Sequence, residues 1–143
     1  LFDTSFRLYG WEDLELGERL RNMGVKLIKC PKAIGYHWHP ALALDQIPHL
    51  IRIEKERAKM GLVFYKKHQN LRVRFIIQFT FIHRILWETL TIGGLINEKT
   101  LRPLMAFLIR KGHASFAMEL LRLPLNLIWV REIYREAEIL GLR

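Results

Sequence analysis

The most informative stretch of the sequence is Gly10-Trp11-Glu12-Asp13-Leu14-Glu15-Leu16-Gly17, which is followed by Arg19-Leu20 and Gly24. Apolar side chains recur here at four- and three-residue spacing, at Leu16, Leu20 and Met23. This spacing predicts a helix with one apolar face. Asp13 is predicted at or near its N-cap, and Gly24 is a typical C-terminal stop.

The segments after this helix have the pattern of short strands. Residues 25–29 alternate apolar and basic side chains before Pro31, and residues 33–38 form a second extended run that Pro40 ends. From Leu44 onwards the apolar period is helical. We therefore predict an α/β segment over residues 1–40 and a basic, mostly α-helical extension over residues 41–143.

Four helices are predicted in the extension. The first begins near Leu44, with Asp45 as its cap and a bend or end at Gly61. The others are predicted over residues 72–90, 101–123 and 125–140, with Gly93-Gly94 and Pro124 between them.

The charge of the chain points to anionic partners. The formal net charge is +9, and residues 49–74 contain eight Lys or Arg but only two acids. Such a basic run is most often a solvated helix face. It is also typical of a surface that lies on an anionic membrane, and of a nucleic-acid-binding helical module. We rank nucleic acid lower because the basic run lacks the interleaved exposed aromatic residues and the recognition-helix pattern of nucleic-acid-binding proteins.

Cysteine content and hydropathy suggest where the protein lies. A single cysteine, Cys30, cannot form an internal disulfide, which favours a reducing compartment and hence the cytoplasm. The most apolar stretch, residues 73–96, is too polar for a membrane span, because it is interrupted by Arg74, Gln78, His83, Arg84 and Glu88. We expect a cytoplasmic protein that can attach peripherally to the inner face of the cell membrane.

The acidic pair Glu12-Asp13 is the candidate for chemistry. Backbone N–H groups at a helix start stabilise negative charge, and a charged carboxylate beside a substrate hydroxyl can accept its proton. Trp11 offers a flat apolar face for a sugar ring, and Gly10 allows a close approach of the backbone. Taken alone, such a pair is most often a helix-capping device.

The surrounding residues make the pattern more specific. Phe2-Asp3 with Phe6, then Gly-Trp-Glu-Asp-x-Glu-Leu-Gly-x-Arg-Leu from Gly10, and Tyr36-His37-x-His39 resemble the second half of a family 2 glycosyltransferase domain. The resemblance covers about residues 1–40. It implies a GT-A fold, a Rossmann-like nucleotide-diphospho-sugar transferase domain, of which residues 1–40 are the acceptor-side part.

The resemblance also implies a reaction and its residues. A sugar is transferred from a nucleotide-sugar donor to the hydroxyl of a saccharide or lipid-linked acceptor, in an inverting reaction with Asp13 as general base. Glu12, Trp11 and Gly10 bind the acceptor. Either His37 or His39, with His37 preferred, completes the site of a divalent metal, Mn²⁺ or Mg²⁺.

One expected motif is missing from the chain. The Asp-x-Asp metal motif of the family does not occur among Asp3, Asp13 and Asp45, the only aspartates. We therefore expect this chain to be an incomplete enzyme whose donor- and metal-binding half lies outside it. The alternative function is a basic helical module that binds nucleic acid or an anionic membrane surface without catalysis.

Overall fold

The structure, a computed structural model, describes residues 1–36 and 41–142. Six α-helices and one 3₁₀ turn make up its regular structure. They are α1 (Glu12–Asn22), the 3₁₀ turn (Leu44–Gln46), α2 (Ile47–Lys67), α3 (Leu71–Ile76), α4 (Phe81–Leu90), α5 (Glu98–Arg110) and α6 (Ala114–Ile139).

The predicted α/β fold is wrong. Residues 1–36 and 41–142 contain no strand, so the chain is an all-helical domain and not an α/β fragment of a GT-A fold. Residues 25–30 and 33–36 are irregular, and Leu27, Ile28 and Ile34 are exposed. An alternating pattern forms a stable strand only where neighbouring strands pair with it and cover its apolar face. Within the described ranges this run has no such partner.

The helix predicted around the acidic pair is present as α1. It begins two residues earlier than predicted, because Trp11 and not Asp13 occupies the N-cap position, and the Trp11 side chain makes no capping hydrogen bond. Gly24 adopts a left-handed conformation with φ +81° and donates its N–H to the Arg21 carbonyl, as a helix-ending glycine does.

The long helices α2 and α6 form the centre of the domain. α6 packs along α2, α5 and α4. One core cluster joins α2, α3 and α6 around Phe64, Ile77 and Ile133, and a second joins α2, α5 and α6 around Ile47, Met105 and Leu121. The domain is therefore built around an α2–α6 pair with shorter helices on its flanks.

Several helix boundaries in the extension differ from the prediction. The helix predicted over residues 101–123 is broken after α5, and α6 begins only after Gly112, which has φ +82°. α2 continues through Gly61, which is buried because Trp11, Ile77 and Trp129 pack against it. The helix predicted over residues 72–90 is two helices, since Gln78 has φ +56° and the chain turns there. Pro124 does not separate two helices but lies inside α6.

No helix in the described part of the chain combines the length and the apolar character needed to cross a lipid bilayer. This result agrees with the expectation from the polar residues between 73 and 96.

Candidate functional site

A strained backbone turn leads into α1. Gly10 and Trp11 both have left-handed conformations, with φ +97° and +79°. A residue with a Cβ atom in place of Gly10 would have a strained φ, and that Cβ would lie 3.1 Å from Cγ of Arg57, whose side chain would have to shift by a few tenths of an ångström. The left-handed conformation costs a non-glycine residue about 1–2 kcal/mol, so contacts of the Trp11 side chain must offset that cost.

The Trp11 side chain supplies those contacts by packing against α2 and α6. Its indole N–H donates to the Arg57 carbonyl at 2.8 Å, and its ring centroid lies 5.4 Å from that of Trp129 and 6.3 Å from that of Phe64. The Arg57 guanidinium lies 5.5 Å from the centre of the Trp11 ring. Trp11 is thus a half-buried anchor between the start of α1 and the helical core. Its predicted contact with an acceptor sugar stays a prediction.

The predicted pair occupies the first turn of α1 in two different environments. Asp13 is exposed, and its Oδ1 accepts the N–H of Leu14 at 2.8 Å. Glu12 is half-buried, and within residues 1–36 and 41–142 its Oε2 atom has no hydrogen-bond partner although it is shielded from solvent. The structure therefore leaves an accessible carboxylate at Asp13 beside an unsatisfied one at Glu12.

Two further carboxylates of α1 are buried, and sequence reasoning did not place them in a site. Glu15 is 1% exposed, and Arg19 Nε donates to both of its oxygens at 2.9 Å. His68 Nε2 lies 3.1 Å from Glu15 Oε1. The i,i+4 spacing of Glu15 and Arg19 signals their pairing, but nothing in the local sequence signals the contact with His68 at the end of α2.

Glu18 makes a second buried link from α1 to the helical core. It is 4% exposed and accepts hydrogen bonds from Arg21 and Asn70, and Arg72 lies 3.8 Å away. The hydrogen bond from Arg21 is the largest cause of a lowered pKa at Glu18, and its burial opposes the shift. Glu18 therefore stays ionised and ties α1 to the start of α3.

Asp3 makes a third link to the core. Lys67 Nζ, in the last turn of α2, lies 2.8 Å from its Oδ2. This hydrogen bond holds the pKa of Asp3 well below its usual range. Asp3, Glu15 and Glu18 all contact residues 67–72, so the N-terminal segment is docked on the α2–α3 junction by carboxylates on one side and by Trp11 on the other.

The two histidines predicted to bind metal, His37 and His39, lie outside the described residues. Across residues 1–36 and 41–142 there is no group of three or more His, Cys, Asp or Glu side chains that could hold a metal ion. The predicted Mn²⁺ or Mg²⁺ site therefore stays a prediction.

Comparison of the chain with protein-family models, with curated proteins and with solved structures gave no match. A functional conclusion therefore depends on the residues of this chain and on their geometry.

Proposed function

We propose that the first turn of α1 is the acceptor site of a sugar transferase in which Asp13 acts as general base. One observation carries this proposal. Five carboxylates lie in residues 1–24, and Asp3, Glu15 and Glu18 are each paired with a cationic side chain or histidine. No described residue forms an ion pair with Glu12 or Asp13.

This contrast separates structural carboxylates from one that is able to accept a proton. A carboxylate held by Arg or Lys is stabilised in its charged form and is a weak base. Asp13 has only one of its oxygens in a hydrogen bond from the described residues, so Oδ2 can accept a hydroxyl proton from solvent-accessible space. The resemblance of residues 1–40 to family 2 glycosyltransferases supplies the reaction.

The proposed step is a displacement at the anomeric carbon of a nucleotide-sugar. The acceptor oxygen forms a bond to that carbon, the bond from the carbon to the diphosphate breaks, and the hydroxyl proton passes to Asp13. The nucleoside diphosphate leaves. Residues that hold the donor and a divalent cation are expected in another part of the polypeptide.

The test is to replace Asp13 and a matched aspartate in the enzyme that contains this chain. Asp45 is also exposed and lies in the 3₁₀ turn, so Asp45→Asn removes the same charge outside the site. Release of nucleoside diphosphate from a panel of nucleotide-sugars should fall about 10²–10⁴-fold in Asp13→Asn and stay unchanged in Asp45→Asn. Donor binding should be the same in both, and full turnover in Asp13→Asn would overturn the assignment.

We infer in addition that the protein lies peripherally on the cytoplasmic face of the cell membrane. The net charge of +9 and the single cysteine support this location. A lipid-linked acceptor would place the substrate hydroxyl at the same surface. Binding of the chain to vesicles that contain an anionic lipid tests the location, and a preference for duplex DNA over such vesicles would contradict it.

A further inference from the structure

Helix α4 exposes an apolar face. Phe81, Ile82, Ile85, Leu86 and Leu90 are each between 43% and 70% exposed, and at 100° per residue they lie on one half of the helix, with Thr89 as the only polar residue among them. The opposite side carries Trp87, which packs on the core cluster and donates its indole N–H to Gln78 Oε1 at 2.6 Å. A helix on the surface of a soluble domain normally exposes polar residues, so this face indicates a binding surface.

The apolar face continues beyond α4. Phe75 of α3 is exposed, and its ring meets the ring of His83 edge-on at 5.9 Å. Ile92 and Leu95, in the turn after α4, are also exposed. The α4 surface is defined here as these three residues together with the exposed apolar face of α4.

The sequence around the α4 surface is strongly basic. Residues 71–111 contain seven Lys or Arg and two glutamates. One of the glutamates, Glu88, is paired with Arg131 through two hydrogen bonds at 2.6 and 2.8 Å. An apolar face with basic neighbours fits an anionic lipid bilayer, whose headgroups attract Lys and Arg while its acyl chains accept apolar side chains.

A cavity of about 630 Å³ lies between α3, α4 and α6 at the edge of this surface. Arginines 74, 84, 131 and 135 line it together with Phe79 and Tyr134, and the exposed carboxylate of Glu138 also lies at its wall. Arg131 and Arg135 are paired with glutamates, whereas Arg74 and Arg84 have no ion pair with a carboxylate in the described part of the chain. Two unpaired guanidinium groups therefore face one cavity.

Aromatic rings hold these two guanidinium groups in place. Arg74 lies 5.1 Å from the ring centre of Phe79, Arg84 lies 5.2 Å from that of Tyr134, and the two rings are 5.0 Å apart in a T-shaped contact. Arg74 Nε donates to the Phe79 carbonyl at 3.2 Å, whereas the terminal nitrogens of Arg74 and Arg84 have no hydrogen-bond partner among the described residues and can donate to a phosphate. Arg84 lies one helical turn after Phe81, so the cavity and the apolar face share an edge of α4.

We propose that α4 lies in the surface of an anionic bilayer, with its apolar face among the acyl chains, and that Arg74 and Arg84 bind the phosphate of an anionic phospholipid. This inference rests on the peripheral location proposed above and names the surface responsible for it. It does not depend on the role of Asp13.

The test is flotation of the whole chain with two kinds of vesicle, phosphatidylcholine alone and phosphatidylcholine mixed with phosphatidylglycerol. The wild-type chain should float only with the mixture. Arg84→Gln should weaken its binding about fivefold more than Arg122→Gln does, because one basic residue at an anionic surface contributes about 1 kcal/mol. Arg122 is an exposed arginine of α6, and its position nine residues before Arg131 places it about 13 Å away along the helix.

A second pair of variants tests the apolar face. Phe81→Gln should weaken binding about tenfold or more, whereas Phe116→Gln, at an exposed phenylalanine near the start of α6, should leave it unchanged. All four side chains are exposed, and circular dichroism spectra of the variants should match the wild type.

Each contrary result has a distinct meaning. If the wild-type chain floats with the mixture but neither test variant binds more weakly than its control, the site is wrong and the peripheral location stands. If it floats equally with both kinds of vesicle, the phosphate contact is wrong. If it floats with neither, the location and the site are both wrong. If the chain binds duplex DNA, and Arg84→Gln but not Arg122→Gln reduces that binding, the partner at this site is nucleic acid and not a bilayer. Flotation measures no turnover, so none of these results affects the proposed sugar transfer.

Discussion

Replacing Trp11 by phenylalanine should lower the free energy of unfolding by about 2 kcal/mol. The indole N–H donates to the Arg57 carbonyl at 2.8 Å, and loss of such a hydrogen bond costs about 1 kcal/mol. The smaller ring also gives up part of the contact with Trp129 and Phe64, which at about 0.8 kcal/mol per buried methylene adds about 1 kcal/mol for a half-buried side chain.

Urea unfolding of the chain, followed by far-UV circular dichroism, measures this loss. Tyr36→Phe is the matched control, because Tyr36 is 98% exposed and the loss of its hydroxyl should change the unfolding free energy by less than about 0.5 kcal/mol. If Trp11→Phe is as stable as Tyr36→Phe, Trp11 does not anchor α1 to the helical core, and the reasoning is refuted. A side chain that served only as a platform for sugar would give that result.

Two further stability predictions follow from the same structure. Gly10→Ala should lower the free energy of unfolding by about 1–2 kcal/mol, because Gly10 has φ +97° and a Cβ there would press on Arg57. Gly17→Ala, inside α1, should leave the free energy of unfolding unchanged or raise it. Urea titrations of both variants measure the difference. The hydrogen bond from Arg131 lowers the pKa of Glu88 from its ordinary value of 4.5, so this pair stabilises the fold above that pH and its contribution is lost as the pH falls through the lowered value. Wild-type chain should therefore exceed Glu88→Gln in stability by at most about 1 kcal/mol at neutral pH, and the two should converge in acid; a difference that persists at low pH would contradict the ion pair.

The helices of the extension could be predicted from the sequence because their signals are local. Apolar residues at helical spacing place α2, α4, α5 and α6 in the correct regions, and Gly24 correctly ends α1. The breaks were harder to predict. Gln78 adopts a left-handed conformation that glycine or asparagine would normally signal, and Pro124 is accommodated inside a helix whose packing outweighs one lost hydrogen bond.

The strands predicted in residues 25–36 were wrong because strand formation depends on partners. An alternating pattern specifies which face is apolar, but it does not supply the neighbouring strand, and no described residue pairs with this run. Contacts between distant residues are also the reason why part of the candidate site could not be predicted from the sequence. Asp13 could be placed at a helix start from its neighbours alone, whereas the contacts of Glu15 with His68 and of Trp11 with Trp129 join residues 53 and 118 positions apart.

A structure of the proposed transferase with an acceptor bound would show whether the acidic first turn of α1 faces the acceptor. We expect an acceptor hydroxyl within about 2.6–3.2 Å of Oδ2 of Asp13, with Glu12 beside it. An acceptor bound elsewhere, with the Asp13 carboxylate in bulk solvent, would refute the proposed role of Asp13.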